Sequence, residues 1–241
     1  MNKLLSMFKR RHSGLNCSVV VVAAGTASRM QGIDKVLAPL GDVPILARTL
    51  QVFQDCPDVA EIVVVTREDL LVEIGKICKA YSLDKVSKIV VGGSERVLSV
   101  RAGLREVDRD AQLVAIHDAA RPFLTQPVLK EVLEQAAASG AAAPAVPVND
   151  TIKRAENAIV QETVDRSALW AIQTPQVFQA DLIRAAVEKA CADHAQVTDD
   201  CSAVERLGMK VVLTAGDRQN IKVTTPFDLM LGEVILTQRG E

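Results

Sequence analysis

Aromatic residues are scarce in this 241-residue chain, at 3%, and no charge of one sign prevails: 28 Lys and Arg stand against 30 Asp and Glu, a formal net charge of −2. The first scarcity leaves the core to aliphatic side chains. The second excludes capture of nucleic acid or a membrane surface through bulk charge. Cysteine is sparse as well. Five are present, an odd number without a C-x-x-C pair, which reads as free thiols in a reducing cytoplasm and not as a disulfide framework. Three histidines, His12, His117 and His194, are too few and too scattered for a zinc site. No apolar run approaches the roughly 20 residues that span a bilayer. Residues 1–18 are basic through Lys3, Lys9, Arg10 and Arg11 but lack the continuous apolar stretch of a secretion signal. They are expected to form a flexible N-terminal extension.

What is present is the composition of a soluble globular protein, 49% hydrophobic and 24% charged. Short β-branched runs at 19–24 (VVVVAA), 61–66 (EIVVVT), 88–91, 112–117 and 142–148 read as buried strands. Between them, 45–53, 69–81, 97–107 and 127–139 carry helical spacing. Alternation of this kind predicts an α/β fold, a Rossmann-like, mostly parallel sheet with helices on both faces. Residues 150–171 break the rhythm. Short β-like pieces at 151–154 and 159–163 predict a projecting β-hairpin arm, and a two-stranded ribbon is marginal alone, so it should pack on something, such as a second subunit. Helices at 181–192 and 200–207, a strand at 210–214 and a closing helix at 226–236 complete one domain over 19–241. Repeats and linkers are absent.

In such a sheet, ligands bind outside the carboxyl ends of the strands. Three polar segments fall there: 25–35, 92–99 and 118–121. The first continues from Ala23-Ala24-Gly25 through Arg29 to Lys35. Small residues let the backbone approach a ligand, successive N–H groups in such a turn cradle anions, and Arg29 and Lys35 add full charges, as a triphosphate requires. Neither the P-loop pattern nor the G-x-G-x-x-G fingerprint is met. On spacing alone the segment is equally a plain βα turn with solvated basic residues. Asp118 likewise reads as a metal ligand or as a helix cap. His117 reads as a strand-end hydrogen-bonding residue.

The motif A-A-G-x-x-x-R-M followed by a lysine resembles the family of cytidylyltransferases that make 4-diphosphocytidyl-2-C-methylerythritol in isoprenoid synthesis. Further matches run in order. Gly92-Gly93-Ser94-Glu95-Arg96 with Ser99 is similar to that family's G-G-x-x-R-x-x-S segment, and His117-Asp118-Ala119-Ala120-Arg121-Pro122 to its hexapeptide. Asp150-Thr151-Ile152-Lys153-Arg154, Thr163-Val164-Asp165-Arg166 with Leu169-Trp170, Thr174-Pro175-Gln176, Thr198-Asp199-Asp200 and Asn220-Ile221-Lys222-Val223-Thr224 follow. The chain departs from the family at Ala27, where a glycine is usual, at Asp34, where many relatives have proline, and at Ser94, where an acid is common.

The resemblance implies CTP and 2-C-methyl-D-erythritol 4-phosphate as substrates. Ribitol 5-phosphate is the alternative polyol, and a nicotinamide-dependent oxidoreductase is the alternative from another class. By the same resemblance, Arg29, Lys35, Arg166 and Lys222 are catalytic, and Ala23, Ala24, Gly25, Gly93, Ser94, Ser99 and Ala119 bind the nucleotide. Asp118, Arg121, Thr151, Arg166, Thr198 and Lys222 bind the second substrate. Asp118 holds Mg2+ or another divalent cation. Arg166 lies on the arm and reaches a neighbouring subunit, which implies a homodimer. As a hairpin charge it is otherwise merely solvated. If Arg29 and Lys35 act on charge that develops during reaction, Arg29→Ala and Lys35→Ala lower kcat far more than they weaken substrate binding. Steady-state kinetics decide this, and a change confined to KM contradicts it.

Overall fold

The computed structural model describes residues 14–25, 34 and 36–240. β1 (Cys17–Val22) begins two residues ahead of the apolar run at 19–24, and the chain before it is already tied in. Leu15 N–H donates to Asp58 Oδ1 at 3.0 Å, and Asn16 C=O accepts from the N–H groups of Gln112 and Leu113. A small ribbon of β2 (Pro39–Leu40) and β3 (Val43–Pro44) leads into α1 (Ile45–Gln54). The alternation then follows expectation: β4 (Val59–Thr66), α2 (Leu71–Ala80), β5 (Val86–Val91), α3 (Arg96–Glu106), β6 (Leu113–Asp118), α4 (Gln126–Ser139) and β7 (Ala141–Pro147). α4 ends where it should, at Gly140, whose φ of 88° suits only a residue without a side chain.

β1 pairs in parallel with both β4 and β6, and β4 pairs in parallel with β5. Two antiparallel strands join this sheet. β11 (Gln176–Gln179) lies between β6 and β7, and β10 (Trp170–Ile172) pairs with β7. β12 (Val212–Ala215) pairs in parallel with β7. Neither antiparallel strand shows in the sequence pattern. They are three and four residues long, and glutamines bound the second.

The sheet separates two apolar layers, as its period of two dictates. Val19 and Val21 of β1 face Leu46, Leu50 and Phe53 of α1, with Ile74 of α2 and Leu129 of α4 in the same layer. Val20 faces the opposite layer, with Val100 and Leu104 of α3 and with α5 (Ala180–Ala192) and α6 (Asp200–Glu205). α3 rides unusually close to the sheet. A Cβ on Gly103 would stand 2.5 Å from Val20 Cγ1 and 2.8 Å from Val65 Cγ2, so only glycine permits this approach. α7 (Pro226–Arg239) closes the fold through a third cluster, Ile235 and Leu236 against Leu40 and Phe123.

The hairpin is present. Among the described residues, β8 (Lys153–Glu156) and β9 (Ile159–Thr163) pair only with each other, every residue in them is exposed, and Asn157 and Ala158 turn the chain with φ of 49° and 63°. Among the described residues, no helix is long and apolar enough to cross a membrane. The five cysteines are free thiols, and burial pushes Cys17 and Cys201 up, away from the reactive thiolate.

His117, near the end of β6, is fully buried and meets Phe53 edge-on at 5.1 Å between ring centroids. Its Nε2 lies 3.1 Å from the Arg121 carbonyl, which can only accept, so Nε2 carries the proton. Nδ1 therefore accepts from the Thr174 hydroxyl, 3.0 Å away. A neutral ring satisfies both bonds. Burial pushes its pKa down to about 4, against the pull of the Arg121 carbonyl bond. An unfolded histidine takes up its proton near 6.5, so between these values the unfolded state binds more protons and stability falls as pH falls. The loss is complete below about 4 and amounts to about 3 kcal/mol at 1.36 kcal/mol per pH unit. Urea midpoints measured from pH 7 to pH 4 should decline more steeply for the parent than for His117→Gln. Parallel curves contradict the assignment.

Candidate active site

The carboxyl ends of β1, β5 and β6 open on a cavity of about 280 Å3. One wall is the turn Ala23, Ala24 and Gly25, anchored by the Ala23 N–H, which donates to the Val65 carbonyl at 2.7 Å. The facing wall is Gly93, Ser94 and Ser99, where β5 passes into α3. Ser99 Oγ accepts from the Gly93 N–H at 3.1 Å and so fixes the loop on its own helix. The walls converge at Gly92, where a Cβ would fall 2.8 Å from that of Ala24 and 2.6 Å from Ser99 Oγ. The second segment carries its glycine for this reason.

Arg29 and Lys35 lie outside the described residues. The residues beside Lys35 are well placed: Val36 lines the cavity, and Asp34 forms an ion pair with Arg67 at 2.6 Å, just beyond β4. Asp34, one of the departures from the family pattern, thus has its carboxylate held by charge.

Asp118 ends β6 at the floor of the cavity, 9% exposed. Its N–H donates to Thr174 Oγ1 at 3.1 Å, so the hydroxyl that holds His117 also orients Asp118. Among the described residues, three cations surround the carboxylate. Lys222 Nζ is 2.8 Å from Oδ2, Arg121 Nε 3.8 Å from Oδ2, and Arg96 Nη2 3.7 Å from Oδ1. Burial alone would raise the Asp118 pKa. Lys222, followed by Arg96 and Arg121, outweighs burial and brings it down to about 2, so the group is ionised at neutral pH. Arg121 is anchored by Nη1, which donates to the Asn220 carbonyl at 2.7 Å, while its buried Nε has no hydrogen-bond acceptor among the described residues. Asn220 in turn donates from Nδ2 to the Thr174 carbonyl at 3.1 Å. The segments 117–122, 173–176 and 220–222, distant in sequence, thus form one polar network.

Of the residues expected at the site, Ala23, Ala24, Gly25, Gly93, Ser94, Ser99, Asp118 and Lys222 line this cavity, and Arg121 borders it through Asp118. Ala119 does not line it. Its side chain belongs to the core, its N–H donates to Val22, and its carbonyl accepts from Thr49; Ala120 lines the cavity in its place. Thr198 is exposed, just before α6, and it does not line the cavity. Thr151 and Arg166 are exposed on the arm and its base, with Arg166 Nη1 donating to the Asn149 carbonyl. Arg96 was quoted in its motif without a role. Asp200 stands in the Thr198-Asp199-Asp200 motif, likewise without an assigned role. Asp199 caps α6, accepting from Ser202 N–H in a capping box, and leaves Asp200 available to Arg96.

Among the described residues, no group of three or more His, Cys, Asp or Glu could enclose a metal. The ionised carboxylate of Asp118 at the cavity floor still suits a hard cation that takes its other ligands from phosphates and water.

The model of the family described as 2-C-methyl-D-erythritol 4-phosphate cytidylyltransferase matches residues 17–238. The chain is 45% identical over 223 residues to the protein of that name from Halalkalibacterium halodurans, covering 92% of this chain and 97% of that one. It is 46% identical over 225 residues to the one from Symbiobacterium thermophilum, covering 92% and 94%. Among solved structures, 4-diphosphocytidyl-2C-methyl-D-erythritol synthase from Anaerococcus prevotii superposes with a TM-score of 0.83 at 30% identity, covering 93% of this chain and 97% of that one. With cavity, charges and ordered motifs in agreement, the chain belongs to the 2-C-methyl-D-erythritol 4-phosphate cytidylyltransferase family.

Proposed function

We propose that the protein transfers the cytidylyl group of CTP to 2-C-methyl-D-erythritol 4-phosphate, giving 4-diphosphocytidyl-2-C-methyl-D-erythritol and pyrophosphate. The observation that carries this reading is the ionised Asp118 ringed by Lys222, Arg121 and Arg96, on the floor of a cavity walled by the 23–25 turn and Gly93.

An oxygen of the sugar phosphate attacks the α-phosphorus of CTP in line. A new P–O bond forms as the bond from the α-phosphorus to the bridging oxygen breaks, and pyrophosphate leaves with that electron pair. Nothing is oxidised or reduced. The protein's contribution is position and charge. Ala23 to Gly25, Gly93, Ser94 and Ser99 hold the nucleotide, and Arg29 and Lys35 meet the charge that grows at phosphorus. Lys222, Arg121, Thr151 and Thr198 hold the second phosphate and its polyol. The unpartnered Nε of Arg121 supports this, since a buried donor without an acceptor is costly until a ligand oxygen reaches it. A divalent cation such as Mg2+ would be held by Asp118 together with the substrate phosphates and would supply further neutralising charge.

The folded chain, from β1 at Cys17 onward, acts as one cytoplasmic nucleotidyltransferase domain. Two copies associate through the arm, where Ile159, Val160 and Trp170 are between 48% and 67% exposed. In that dimer Arg166 serves the partner's site.

Pyrophosphate release should be seen with CTP, Mg2+ and methylerythritol phosphate, and not with ribitol 5-phosphate in its place. Turnover only with ribitol 5-phosphate overturns the choice of polyol. Mixed, exchanged dimers of Arg166→Ala and Lys35→Ala should recover activity that neither variant has alone. No recovery after demonstrated subunit exchange removes Arg166 from the shared site.

A further inference from the structure

Arg96 joins the two sides of the cavity. As the first residue of α3 it directly follows the nucleotide loop at 93–95, and its side chain lines the cavity. Its guanidinium grips Asp200, the first residue of α6, with Nη1 donating to Oδ1 at 2.9 Å and Nη2 to Oδ2 at 2.7 Å. Asp200 is 3% exposed and is itself fastened to the sheet. Gln176 Oε1 on β11 accepts from the Asp200 and Cys201 N–H groups at 2.9 Å and 3.0 Å, while Gln176 Nε2 donates to Asp199 Oδ2 at 2.8 Å. From this anchored position, Arg96 Nη2 stands 3.7 Å from Asp118 Oδ1.

The three cations around Asp118 among the described residues differ in how they are held. Lys222 is a flexible ammonium with 40% of its side chain exposed, and Arg121 Nε, 3.8 Å from Asp118, has no hydrogen-bond acceptor among the described residues. Both are open to recruitment by an incoming phosphate. Arg96 is not, because a bidentate fork on a buried carboxylate fixes its plane and its place. We propose that Arg96 is a positioning residue for the transfer reaction: locked on Asp200, it holds Asp118 in place when substrate phosphate draws Lys222 away, and it keeps the nucleotide loop in register with the 198–200 turn. This rests on the cytidylyltransferase reading. It assigns Arg96 no contact with the reacting atoms.

The test uses the full chain and the variants Arg96→Gln, Arg96→Lys, Asp200→Asn and the double variant Arg96→Gln/Asp200→Asn, assayed by pyrophosphate release from CTP and methylerythritol phosphate. Arg96→Gln and Asp200→Asn should each lower kcat by about tenfold or more while KM for CTP moves by less than about threefold. Arg96→Lys, which keeps a charge beside Asp118 but cannot form the fork, should recover part of the loss. The double variant should be no slower than the worse single one, since both remove the same clamp. Singles with the parent's kcat, or a double whose loss is the product of the singles, overturn the proposal. Hydrogen exchange of the free protein provides a second measurement that needs no turnover. In Arg96→Gln, exchange should rise at 93–99 and 198–202 together and stay unchanged in β1 and β4. A rise at only one of these segments, or across the whole chain, overturns the clamp. A parent protein inactive with this substrate pair counts against the cytidylyltransferase reading, and the exchange pattern still decides the role of Arg96.

Discussion

Asp118 puts a full negative charge at the end of β6, where little water reaches it. An ionised carboxylate tolerates such a place only if cations and donors replace its lost hydration. Around it the chain supplies Lys222 from the segment before α7, Arg121 from the turn after β6, Arg96 from the start of α3 and the Thr174 hydroxyl from the approach to β11. Four parts of the sequence must arrive together. The same requirement accounts for the neutral state of His117, since Thr174 can serve both Asp118 and a ring that accepts at Nδ1. The local arrangement of the site thus follows from one buried charge and its neighbours.

The short antiparallel strand β11 makes this gathering possible. Placed between β6 and β7, it brings Thr174 beside Asp118 and Gln176 beside the start of α6. A sheet with only the parallel βαβ alternation would leave both polar side chains far from the strand end they serve. The arm is the excursion between β7 and β10, two strands that pair with each other, so it leaves the sheet and returns to it at one place.

The parallel strands and their helices were legible because each carries a periodic apolar pattern: 19–24 for β1, 61–66 within β4, 127–139 within α4. β10 and β11 were not, since three or four residues with polar ends cannot display a period. At the site, the glycines and charges were legible as positions after strands, and eight of the expected residues line one cavity. The ordered motifs, and not the spacing, attached CTP to them. What stayed hidden was pairwise: no sequence rule joins Arg96 to Asp200 across 104 residues, or Asp34 to Arg67, because tertiary proximity alone creates those bonds.

Gln176 sits where one atom decides between accord and conflict. Its amide oxygen receives two N–H groups at the start of α6 and its nitrogen donates to Asp199. A glutamate has the same shape, but it would exchange the donor for an acceptor and set a third carboxylate beside Asp199 and Asp200. Glutamine at this position therefore does not drift freely toward its acidic isostere. Its neutrality sets how much acid this corner of the molecule can hold, and so limits which neighbouring sequences remain open to it in divergence.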